Sequence, residues 1–146
     1  MIPLVLVAML VGVVLPVQSG VNAQLRLNLG HPLLAAFVSF AVGTIALLGL
    51  NLALRTPMPS SDTFTRVTWW HWIGGLLGAT YIYLAIVLAP RLGAATLVAA
   101  IVTGQMVTSL ILDHFGLIGY PQQSLTPARA FGALLVIGGV LLIQRR

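Results

Sequence analysis

The side chains of this chain that can engage a solute or a proton fall into two short series. Gln18, Asn22 and Arg26 recur in steps of four, with Ser19 and Gln24 beside them; Gln105, Ser109 and Asp113 repeat the step, with Thr103, Thr108 and His114 nearby. A step of four returns to nearly the same side of an α-helix, so each series is a polar stripe on one helix face. Amides and hydroxyls donate and accept hydrogen bonds, which makes Gln18, Asn22, Gln24, Gln105 and Ser109 candidate solute-binding residues. The competing reading has the amides cross-link neighbouring helices, at about 0.6 kcal/mol per contact. Asp113 is the acid nearest an apolar segment and the candidate for proton or cation coupling or for gating; its place at a helix end also suits plain interfacial hydration. His114 beside it can pair with the carboxylate or titrate near neutrality. Two aspartates and three histidines near segment ends assemble no nucleophile, base and acid set, and a lone Asp-His pair is no metal signature. Neither enzyme activity nor a cofactor or metal is expected.

Both stripes lie within apolar segments. Hydrophobic residues make up 59% of the 146, which excludes an ordinary soluble domain. Five stretches read as membrane spans, at 2–25, 33–54, 69–89, 92–112 and 127–143. About 20 apolar residues, range ~17 to 25, cross a hydrocarbon core of ~30 Å, so the fifth is at the short limit. Seven arginines and two aspartates, with no lysine or glutamate, all lie at or beyond the span ends, where water hydrates them. The expected fold is an all-α integral membrane protein, one transmembrane domain of five helices over 1–146. The net charge of +5 comes from single arginines between apolar runs, without a basic cluster or aromatic platforms. They read as anchors at a lipid interface, and no nucleic-acid partner is expected. Absence of cysteine removes disulfides and thiolate chemistry. Val21-Asn22-Ala23 offers small residues to a signal peptidase, yet no Lys or Arg precedes the first apolar run, so a retained helix is expected.

The remaining features read as structural. Pro16 should kink the first helix, and the polar cluster behind it should be buried or face water. His31-Pro32 closes a turn. Ala35, Ser39 and Gly43 form a small-residue stripe for close helix packing. Residues 55–66 look like a connector. Trp69, Trp70 and Trp72 suit the headgroup region, Gly74 and Gly78 make a GxxxG step, and at least one of Tyr81 and Tyr83 should point inward. Pro127 is placed to start the fifth helix, whose glycines suit packing or dimerisation.

Five spans put the termini on opposite sides. Arg26, Arg91, Arg145 and Arg146 face one side and Arg55, Arg66 and Arg129 the other, a feeble bias toward a cytoplasmic C-terminus. Such a chain can insert both ways, and two opposed copies would make an antiparallel dimer of ten helices.

Gln18-Ser19-Gly20-Val21-Asn22-Ala23-Gln24-Leu25, Gly74-Gly75-Leu76-Leu77-Gly78-Ala79, Ala89-Pro90-Arg91-Leu92-Gly93, and Gly104-Gln105 with Asp113 and Gly116 together resemble the YdcZ-like family of the drug/metabolite transporter superfamily, over essentially the whole chain. The resemblance implies a bacterial inner-membrane, multi-pass protein, akin to half of the ten-helix transporters built from inverted repeats. Small multidrug exporters of that superfamily use a buried glutamate in the first helix to exchange protons for cationic drugs. This chain has no glutamate, so that mechanism does not carry over. The expectation is a small-solute exporter working by alternating access as a homodimer or a dimer with a paralogue. Its path would lie between the first and fourth spans. The alternative is a non-transporting scaffold or helper subunit.

Overall fold

The computed structural model describes residues 2–144, and of Gln144 only the backbone. Arg145 and Arg146, counted in the orientation bias, lie outside the described residues. Among the described residues the regular structure is helical, with no strand. Helix α1 spans Ile2–Leu29, α2 Pro32–Ala53, α3 Ser61–Arg66, α4 Ile73–Leu92, α5 Ala94–Phe115 and α6 Pro127–Gln144.

The helix ends differ from the expected spans for local reasons. Helix α1 continues through Pro16 and past residue 25 to Leu29, then stops at Gly30, whose φ of 75° suits glycine and whose N–H meets the Arg26 carbonyl at 2.9 Å. Pro32 opens α2, and His31 Nδ1 accepts the Leu33 N–H at 3.2 Å. The connector at 55–66 contains the short α3. The tryptophans enter α4 through a 3-10 turn, Trp69–Trp72, in which Trp70 stacks on His71. The turn expected at 89–93 contracts to Gly93: α4 runs through Pro90 to Leu92, and Gly93 adopts φ 77°, ψ 162°, a region essentially reserved for glycine.

By length and composition α1, α2, Trp69–Leu92 and α5 can each cross a membrane, while the apolar stretch Pro127–Ile143 is shorter. The chain divides into two compact units, Met1–Arg91 and Leu92–Arg146. In the first, α1 packs on α2, and Ala35 and Ala36 meet Ile82 and Ile86 of α4 in a small core flanked by Leu25, Tyr81 and Tyr83. In the second, α5 packs along α6, with Leu97 and Ala133 buried. Valines 13, 17 and 21 of α1 are exposed while Ser19 and Asn22 are buried. Water would invert that arrangement, and hydrocarbon favours it.

A proline in α4 explains one long-range contact. Pro90 has no N–H to give the carbonyl four residues earlier, which belongs to Ile86, a fully buried residue. Arg26 supplies the donor instead, its Nη1 lying 3.5 Å from that oxygen. Thus the end of the α1 polar stripe is tied to α4 through a gap that proline creates. Arg26→Leu should lower thermal stability in detergent by about 1–3 kcal/mol, the range for orphaning a buried polar group. Most of that loss should vanish in a Pro90→Ala background, where the substituted residue returns the missing N–H. Equal losses in both backgrounds would contradict the contact.

Candidate functional site

Gln18 projects from the middle of α1 onto an open-sided cavity of about 400 Å³ in the first unit, with Phe40, Gly43, Thr44 and Leu47 exposed along its mouth. Ser39, Thr44 and Tyr81 supply its other polar groups; Leu15, Phe40, Leu47 and Ile82 supply apolar wall. Glycines make the room. Gly43 and Gly78 line the cavity, and a Cβ at Gly43 would meet nothing within 4 Å, whereas one at Gly78 would touch the Phe40 ring at 3.7 Å. Among the described residues, none of the four polar side chains takes part in a hydrogen bond, although Thr80 and Thr103 turn their hydroxyls back onto Leu76 and Ala99 carbonyls at 2.9 Å. The cavity therefore offers uncommitted donors and acceptors on an apolar wall, the ordinary make-up of a small-molecule site.

Asn22 lies one turn further along the same face. It is 4% exposed, and its Nδ2 has no acceptor among the described residues. Gln24, off the stripe, is exposed. Of the five residues expected to bind solute, Gln18 alone is on the cavity wall. Ser39, Gly43, Thr44, Gly78 and Tyr81 share it. The Ala35, Ser39 and Gly43 stripe splits: Ala35 enters the core, while Ser39 and Gly43 face the cavity. The available signal was two glycines, Gly43 and Gly78, on helices that also carry hydroxyls nearby.

In the second unit Gln105 and Ser109 are exposed on α5. At the end of that helix Asp113 is a hub. Its carboxylate accepts from Arg129 Nη2, and its backbone carbonyl accepts from Gln123 N at 2.7 Å and Gly116 N at 3.3 Å. Arg129 Nη1 also donates to the Gln123 carbonyl at 3.0 Å. His114 adds a second tie: its carbonyl accepts from Gln122 Nε2, and its Nδ1 accepts the Leu125 N–H, both at 3.1 Å. A ring nitrogen that accepts carries no proton, so this bond fixes the Nε2–H tautomer. Asp113 and His114 thus strap the 116–126 connection between α5 and α6. Arg129 as Asp113's partner was not foreseen, because the pairing depends on a loop turned back by Gly116 at φ 61° and Ile118 at φ 54°.

Residues 3–142 match the model of a family described as "Putative inner membrane exporter, YdcZ". The chain belongs to this YdcZ family. It is also 28% identical over 135 residues to Inner membrane protein YdcZ of Escherichia coli (strain K12), covering 92% of this chain and 90% of that relative. The likeness suggested by its motifs is therefore real over nearly its whole length, and this YdcZ family member is a multi-pass protein of the inner membrane. The family's description is that of a membrane exporter, a transport class rather than an enzyme class. No solved structure matches the chain.

The Asp113–Arg129 pair has side chains 23% and 30% exposed, so its attraction is only partly screened. A double-mutant cycle of Asp113→Asn and Arg129→Gln, read by thermal unfolding in detergent, should give a coupling of about 1 kcal/mol. Strict additivity of the two substitutions would remove the strap.

Proposed function

We propose that the chain exports small solutes across the inner membrane by alternating access, and that the cavity around Gln18 is the solute site. The observation that carries the reading is an open-sided cavity whose polar groups are uncommitted and whose wall is otherwise apolar. Gln18 lies eight residues before Arg26, roughly 12 Å along the helix, which is near the middle of a ~30 Å hydrocarbon core. Midplane binding suits a site opened alternately to either side.

In this reading α6 is the fifth span of a single membrane domain, half of a ten-helix transporter. Gln105 and Ser109, exposed on an apolar helix, are expensive to leave in lipid. A second copy or a paralogue covers them, in antiparallel orientation where the weak arginine bias permits, and they contribute to solute binding there. Asp113 and His114 act as a gating strap at the membrane surface. Lipid and solute are the other partners.

Gln18 carries the test. Gln18→Leu removes the amide from the cavity wall and leaves an apolar side chain of similar size. Solutes released by bacterial cells expressing the chain, compared by mass spectrometry with cells expressing Gln18→Leu, should include one whose export falls at least about tenfold, equivalent to 1.4 kcal/mol. An unchanged solute profile from a variant that keeps its thermal stability would overturn the assignment of the cavity to the solute path.

A further inference from the structure

The geometry points to a substrate class: we infer that the cavity around Gln18 takes uncharged, amphipathic solutes and rejects ions of either sign. This deepens the transport reading and rests on it for the word substrate, while the binding claim is separable. No Asp, Glu, Lys, Arg or His lines the cavity. An ion brought there would sit in a low-dielectric wall without a countercharge, a heavy penalty that amides and hydroxyls offset only partly. Arg26, the cation nearest along α1, stands two turns beyond Gln18 with its guanidinium directed to the Ile86 carbonyl. It is not on the cavity wall, and the acids of the chain, Asp62 and Asp113, are absent from it as well.

What remains on the wall fits a neutral molecule with two ends. Phe40, Leu47 and Ile82 give an apolar surface for a ring or short chain. Gln18, Ser39, Thr44 and Tyr81 can donate to and accept from a hydroxyl, an amide or a carbonyl. A solute lacking polar groups would leave these four unmatched, and a fully polar one would waste the apolar wall. The volume, about 400 Å³, lies in the range of ordinary small-ligand pockets.

Three probes of one shape separate the possibilities: 2-naphthylmethanol, 2-naphthylmethylammonium and 2-naphthoate. Each is titrated by equilibrium dialysis against the full chain in lipid nanodiscs, with empty nanodiscs correcting for partition into lipid. The neutral alcohol should bind saturably and at least about tenfold more tightly than either ion. Gly43→Leu, which fills open space at the wall, should weaken the alcohol at least about tenfold. Ser39→Ala with Thr44→Val, close in shape to the native pair, should weaken it at least about threefold, and this second variant guards against a misfolded first one. Equal or tighter binding of an ion that Gly43→Leu abolishes would overturn the inference, as would alcohol binding indifferent to both variants. Transport is scored apart. Binding as described, with no flux of the alcohol in proteoliposomes, would contradict the export reading and uphold the class; flux confined to charged solutes would contradict the class and uphold export.

Discussion

A polar group in hydrocarbon has no water to fall back on, and that constraint orders this protein. The helices turn their long aliphatic side chains outward, as with valines 13, 17 and 21 of α1, and keep Ser19 and Asn22 inside. Helical backbone satisfies itself, so trouble arises only where the helix pattern is interrupted. Pro90 is such a place, and Arg26 answers it from another helix of the same unit. The connection between α5 and α6 is another, where Asp113 and Arg129 gather the loop carbonyls and amides into one strap. At both of these places a charged side chain supplies the contact.

The cavity follows from the same rule. Ala35 and Ala36 of α2 are buried against the larger Ile82 and Ile86 of α4. Further along the same helices, Gly43 opens on space that no neighbour fills while Gly78 lies against the Phe40 ring, and hydroxyls and an amide stand around the opening. A stripe of small residues thus does two things along its length, sealing at one end and opening at the other. Membership of the YdcZ family gives the chain an inner-membrane address and an exporter's description.

Much of this was legible in the residues. The apolar runs marked where the helices lie because lipid demands apolar surface over a fixed thickness, and the step of four from Gln18 to Asn22 to Arg26 marked a face that could not all face lipid. The helix ends were less legible, since Arg26 to Leu29 are polar enough to suggest a boundary yet remain helical until Gly30. Ser39 and Thr44 were not legible as cavity wall, because a hydroxyl beside small residues looks the same whether it packs or lines a cavity. The Asp113–Arg129 pair was hidden by a loop whose course depends on left-handed backbone at Gly116 and Ile118, which hydropathy does not encode.

The central claim is that the middle of α1 presents Gln18 to a wet, solute-accessible cavity while its opposite side meets lipid. The absence of native cysteine makes this directly measurable with single cysteines at Gln18 and at Val13, labelled in membranes by a water-soluble thiol reagent. Cysteine at 18 should react readily and become protected when Gly43→Leu fills the cavity, and cysteine at 13 should stay inert. Equal inertness at both positions, or reaction at 18 that ignores Gly43→Leu, would contradict the account.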